Sequence, residues 1–242
     1  MRAQTIRPLP YLIAFMACLM RIDSTSGAEL PQQAMTFDAM DVFELEWASN
    51  PQVSPDGTTV VYVRRGFDVM RDATSSSLWQ VSADGTDHRP LTTTSGRSAS
   101  PRWSPDGDRV AFISSEGDSS QIHIHWVHSQ QTAVISQVQQ SPSDLSWSPD
   151  GKWLAFTMSV KKPSKPIAKQ RKVPDGAIWA KAPVTVTTTR YQYDGRGIVE
   201  PSYRHVFVIP ADGGVARQLT QGDFNHYGQL AWSPDSRAIF FS

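Results

Sequence analysis

Four copies of one short phrase recur along the chain: Ser54-Pro55-Asp56-Gly57, Ser104-Pro105-Asp106-Gly107, Ser148-Pro149-Asp150-Gly151 and Ser233-Pro234-Asp235-Ser236. Successive copies lie 50, 44 and 85 residues apart. The unit is therefore about 45 residues long, and the third unit carries an insertion nearly as long as itself. A period of ~40–50 residues with several strands in each unit is the mark of a β-propeller blade.

The phrase reads as a hairpin turn. Proline presets φ for the second turn position, aspartate bonds its own backbone, and glycine accepts φ > 0 at the exit. The runs that follow are Val60-Val61-Tyr62-Val63, Val110-Ala111-Phe112-Ile113, Leu154-Ala155-Phe156 and Ile239-Phe240-Phe241. They are too short for helices and apolar at consecutive positions, the pattern of a strand covered on both faces. Trp103, Trp147 and Trp232 directly precede three of the turns, where they fill the space between blades; Val53 takes that place in the first copy.

Each unit continues in the same order. After the first phrase, Leu78-Trp79-Gln80-Val81 reads as a third strand, Ala83-Asp84-Gly85 as a second turn, and Arg89-Pro90-Leu91-Thr92 as the start of a fourth strand. The third unit repeats this with His205 to Ile209, Ala211 to Gly214, and Arg217 to Thr220. The second is looser, with Gln121 to Val127 and then Ala133-Val134-Ile135. Four strands in each unit fit a propeller blade.

At the N-terminus, Arg2 and Arg7 precede the apolar stretch Tyr11 to Met20, and Ser26-Gly27-Ala28 supplies the small residues that a signal peptidase reads. This is the pattern of a secretory signal peptide over residues 1–28, too short in its apolar part for a membrane span of ~20 residues. The alternative is an uncleaved anchor or a start site placed too early in the gene. The expected location is periplasmic or extracellular, with no membrane attachment after cleavage. Cys18 is the single cysteine and leaves with the signal, which suits the periplasm. Lys plus Arg and Asp plus Glu both total 23, so the excess positive charge that nucleic-acid binding rests on is missing. In the segment 29–49, Asp38 through Ala48 reads as one short helix, capped by Asp38, with Phe43 and Trp47 on one face.

The insertion, residues 158–204, opens with Lys161, Lys162, Lys165, Lys169, Arg171 and Lys172 and no acid. Such a run reads as a solvated loop, or else as a contact to an acidic partner. Its second part places Val184, Val186, Tyr191 and Tyr193 at alternating positions, the pattern of an extra strand or hairpin closed by Asp194-Gly195-Arg196-Gly197. His123 and His125 share one face of a strand with His128 nearby, but a metal needs further ligands that the sequence does not place. No metal or cofactor is expected. The nucleophile motif G-x-S-x-G is absent; Gly96-Arg97-Ser98-Ala99-Ser100 comes nearest and lacks the second glycine. No catalytic residue is assigned.

The stretches Glu46 through Gly57, Asp175-Gly176-Ala177 with Trp179, and Arg217-Gln218-Leu219-Thr220-Gln221-Gly222-Asp223-Phe224 together resemble the N-terminal propeller of secreted prolyl oligopeptidase family serine peptidases. The likeness is to the acylaminoacyl-peptidase and dipeptidyl-peptidase branch and runs from about Asp38 to Ser242. It implies a propeller that gates and orients peptide substrates for a C-terminal α/β-hydrolase domain bearing serine, aspartate and histidine. The alternative is a non-catalytic periplasmic interaction propeller of the Tol-system type, which shares the repeat phrase. The expected fold is all-β, an incomplete propeller over 50–242 of about three and a half blades, with repeats starting near 50, 100, 143 and 227. Because Ser242 follows the second strand of the fourth unit, the chain reads as a fragment or a truncated product. If the N-terminal pattern is a signal, N-terminal sequencing of the exported protein finds a start at Glu29; a product that still begins at Met1 overturns it.

Overall fold

The computed structural model describes residues 36–92, 96–116, 119–162, 172–180, 186, 189, 191–194, 197–199 and 201–242. The expected signal segment, the core of the basic run and Val184 lie outside them. The first blade is an antiparallel sheet of β1 (Trp47–Val53), β2 (Thr59–Asp68), β3 (Ala73–Ser82) and β4 (Arg89–Pro90), in that order. The second repeats it with β5 (Arg97–Trp103), β6 (Arg109–Glu116), β7 (Ser119–Trp126) and β8 (Gln131–Val134). In the third, β9 (Pro142–Trp147) and β10 (Trp153–Lys161) come first. The insertion follows, with its own pair β11 (Gln192–Tyr193) and β12 (Gly197–Ile198). The blade is then completed by β13 (Ser202–Pro210) and β14 (Arg217–Gln218). A fourth sheet holds β15 (Ala231–Trp232) and β16 (Ile239–Phe240). The fold is nearly all β, an incomplete propeller whose sheets do not close into a ring.

The first strands β1, β5, β9 and β15 contact one another in sequence, so the blades stack side by side about their inner edges. The consecutive apolar runs explain the stacking. Along β6, Val110 and Phe112 point to Val61, Val63 and Leu78 of the first blade. Their neighbours Ala111 and Ile113 point the other way, into a cluster with Leu154, Phe156 and Phe207 of the third. Ala155, Val206 and Val208 then face Leu230, Trp232 and Ile239. Phe112 and Phe156 are fully buried, and truncating such a ring to alanine costs about 3–5 kcal/mol.

The repeat phrase builds the same turn four times. The hydroxyl of Ser54 donates to Asp56 Oδ1 and accepts the N–H of Thr59 at 2.9 Å, while Asp56 Oδ1 also accepts the N–H of Thr58 at 3.1 Å. Ser104, Ser148 and Ser233 make the corresponding bonds with Asp106 and Arg109, Asp150 and Trp153, and Asp235 and Ala238. These bonds, led by the serine hydroxyl, hold the carboxyls of Asp56, Asp150 and Asp235 below the usual aspartate range. A depressed carboxyl stabilises the fold above its unfolded-state pKa, and that contribution is lost as pH falls through the lower folded value. Gly57, Gly107 and Gly151 take φ of 75°, 77° and 67°, as the exit from the turn requires.

Neighbouring blades are fastened at these turns. The indole N–H of Trp103 donates to the carbonyl of Gln52 (3.1 Å), that of Trp147 to Arg102 (3.0 Å), and that of Trp232 to Ser146 (3.2 Å). Each acceptor lies two residues before the repeat serine of the preceding blade. Arg109 adds a second fastening: its Nη2 donates to Gly151 O at 2.9 Å, and its guanidinium lies 4.9 Å from the Trp147 ring centre.

Two sequence expectations are corrected. The helix expected over Asp38 to Ala48 is only a 3-10 turn at Asp41–Glu44, and Trp47 and Ala48 already belong to β1, opposite Arg65 and Arg64. So short a segment gains little as a helix, whereas pairing with β2 satisfies its backbone. Phe43 and Trp47 do share a partner, Phe67, at 6.4 and 5.6 Å. Asp38 closes a local turn, accepting the N–H groups of Met40 and Asp41 at 2.6 and 3.3 Å. The insertion is also narrower than 158–204: β10 and β13 stay paired out to Lys161 opposite Ser202.

Ser104 is fully buried, so Ser104→Ala strands a backbone N–H of the turn. The expected loss in urea unfolding is about 1–3 kcal/mol with an unchanged m-value.

Candidate ligand-facing cleft on the inner strands

Each complete inner strand carries a bulge at the same place, four residues before the repeat serine. Asn50, Ser100 and Asp144 stand there with φ of 52°, 55° and 56°, and the pairing register shifts beside each. Asparagine and aspartate tolerate this left-handed conformation better than most residues. A bulge bends the strand and re-aims its side chains. Beside the bulges lies a cleft of about 650 Å³ with Gln52, Arg102, Asp144, Ser146, Trp147 and Gln229 among its lining residues.

Two separate groups of bonds hold the charged residues at the cleft. Arg102 donates through Nη1 to Asn50 Oδ1 (3.3 Å) and to the carbonyl of Pro101 (2.7 Å). Asp144 Oδ2 accepts the Thr157 hydroxyl (2.6 Å) and Arg204 Nη1 (3.4 Å). Burial pulls the Arg102 guanidinium below the usual arginine value, and the charge of Asp144 pushes it back. Nothing in the repeat phrase pointed here; the visible signal was the Asn50-Pro51 and Ser100-Pro101 pairs at equal distances from their serines, both turn markers.

The residues singled out in the sequence are dispersed. His123 and His125 are buried on β7, with His123 stacked 5.3 Å from Phe112 and His125 Nδ1 bonded to Thr132 Oγ1 at 2.9 Å. His128 is exposed and meets Asp108 at 3.2 Å instead. Among the described residues no three histidine, cysteine or acidic side chains gather as a metal site. Ser98 lies fully buried in β5 opposite Ser114, inside a strand rather than on a sharp exposed turn. At the base of the insertion, Lys162 pairs with Asp223 and lies 5.9 Å from the Tyr203 ring, so this basic residue is docked on its own blade. The hairpin read from Tyr191 and Tyr193 is present as β11 and β12, both tyrosines largely exposed.

The TolB β-propeller domain model matches residues 70–242. The chain is 30% identical to an uncharacterized peptidase, YuxL, of Bacillus subtilis, over 84% of this chain and 30% of that protein. It is 26% identical to dipeptidyl-peptidase 5 of Porphyromonas gingivalis, over 82% of this chain and 30% of the relative. The chain thus spans about a third of the length of these curated relatives. The solved acylaminoacyl peptidase of Pyrococcus horikoshii superposes with a TM-score of 0.57 at 15% identity, over 82% of this chain and 28% of that one. This last likeness is one of fold.

Burial holds the His125 imidazole below the usual histidine range, with the charge of Arg89 adding to it. The unfolded chain therefore binds a proton at this residue that the folded chain does not. Stability falls as pH drops below the unfolded value of about 6.5 and continues to fall until the folded value is passed. Urea unfolding between pH 7 and 5 shows this slope, and His125→Gln reduces it.

Proposed function

The chain belongs to the TolB β-propeller domain family, and on that premise we propose that it is the propeller portion of an exported serine peptidase of the prolyl oligopeptidase type. In the whole enzyme the propeller admits and orients peptides for a C-terminal α/β-hydrolase domain. The observation that carries this reading is the match to curated peptidases over more than four fifths of the chain. Matches to TolB proteins of the Tol-Pal system cover less of it, 42% and 30%, so the interaction-propeller reading is not favoured. Export rests on the N-terminal pattern of Arg2, Arg7, the short apolar stretch and Ala28.

The division of labour follows from the chemistry present. A serine peptidase needs a nucleophile, a base within hydrogen-bond reach and an oxyanion hole. The cleft at the inner strands offers hydrogen-bonding groups, among them Gln52, Arg102, Ser146 and Gln229. Groups of this kind position a chain without cleaving it.

Two measurements test the reading. The reading frame continued past the codon for Ser242 encodes a G-x-S-x-G motif within an α/β domain; several more blades and a stop codon instead give the interaction propeller. The chain by itself leaves chromogenic aminoacyl and acyl-peptide substrates uncut and is not labelled by a fluorophosphonate probe. Stoichiometric labelling of a serine, abolished by denaturation, overturns the assignment.

A further inference from the structure

We propose that Arg102, framed by Asn50 and Asp144 on the inner-strand bulges, is a carboxylate-binding subsite that takes an acidic group of an entering peptide. The inference rests on the gating role proposed above and names the substrate feature that this face recognises.

The geometry carries it in three steps. First, among the described residues the guanidinium donates through Nη1 alone, to Asn50 Oδ1 and the Pro101 carbonyl, which leaves Nε and Nη2 unclaimed. These two nitrogens stay open to solvent and to an incoming ligand, and the group that a guanidinium fits best is a planar anion gripped through two parallel N–H bonds. Second, the one acid in the cleft is committed elsewhere. Asp144 accepts bonds from Thr157 and Arg204 through Oδ2 and makes no hydrogen bond to Arg102. Asp144 is thus bound to Arg204, and it reaches Arg102 only through space. Third, the surroundings suit a peptide. Gln52 and Gln229 line the same cleft as amide donors and acceptors, and Trp103 and Trp147 supply flat apolar walls. With Asn50 holding Nη1, the guanidinium is pre-oriented, so binding loses little side-chain freedom.

Two peptide features present a carboxylate: the C-terminus and an aspartate or glutamate side chain. Isothermal titration of the full chain separates them with a short neutral peptide as free acid, the same peptide as C-terminal amide, and an amide carrying one glutamate, beside acetate as the bare anion. The expected result is binding of at least one carboxylate-bearing peptide, lost on amidation if the C-terminus is read and kept by the glutamate amide if the side chain is read. Arg102→Gln weakens that binding about tenfold or more, and Arg102→Lys rescues it in part. Asp144→Asn tightens it, because the competing charge is gone; a merely structural belt does not predict tightening. Equal affinity of wild type and Arg102→Gln, with matching circular dichroism, overturns the proposal, as does failure of every carboxylate peptide to bind at millimolar concentration. Either failure leaves the peptidase reading intact. A reading frame without a hydrolase domain sinks that reading while anion binding at Arg102 stays measurable.

Discussion

The hydroxyl of the repeat serine is the small contact on which the blade geometry depends. It accepts the backbone N–H five residues on and donates to the aspartate two residues on, closing the turn between the first and second strands of every blade. Burial of apolar side chains supplies the larger free energy, but it is non-directional and cannot by itself choose a register. A one-residue slip of β6 exchanges Val110 and Phe112 with Ala111 and Ile113, and with them the faces turned to the first and third blades. By fixing where the inner strand ends, the turn also aims the preceding tryptophan at a carbonyl of the blade before it. Register within a blade and spacing between blades thus come from one four-residue phrase.

Departures from the phrase are informative. Ser236 stands where the other copies have glycine, at φ 59°, a conformation that costs a non-glycine residue about 1–2 kcal/mol. Its hydroxyl accepts the N–H of Asp150 at 3.1 Å, joining the fourth turn to the third. The third turn is held to the second by a different device, Arg109 on Gly151 O. At Val53 the indole is replaced by an aliphatic side chain that remains largely exposed. The phrase tolerates these changes because each alters a link between turns and none removes the serine and aspartate that close the turn itself.

How much was legible in the sequence follows the range of the interactions. Strands, turns and the β11–β12 hairpin were readable because each rests on contacts close in sequence: proline and glycine dihedrals, alternation, and apolar runs. The helix expected from Asp38 to Ala48 failed for the complementary reason. Spacing of four places Phe43 and Trp47 on one helix face, but the same two rings converge on Phe67 from a turn and a strand, and pairing with β2 decides between the two. The cleft was the least legible feature. Arg102, Asn50 and Asp144 lie on three different blades, and no local pattern says that bulges in β1, β5 and β9 bring them together. His123 and His125 were placed on one face correctly, yet whether that face meets solvent, a ligand or Phe112 depends on the neighbouring sheets.

The electrostatics of the chain limit the way such a cleft can select its ligand. Positive and negative residues balance at 23 each, so attraction of acidic peptides by an excess of positive charge on the chain as a whole has no basis in its composition. At physiological ionic strength exposed charges are screened within about 8 Å. Discrimination must then act at contact distance, after a peptide has reached the inner strands. A pre-oriented guanidinium with Asn50 behind it and Asp144 beside it is suited to that range: its donors have fixed directions, and the nearby carboxylate opposes any anion that does not meet them in line. On the reading proposed above, recognition at the bulges is a matter of orientation more than of attraction, in keeping with a propeller that presents a chain to chemistry carried out elsewhere.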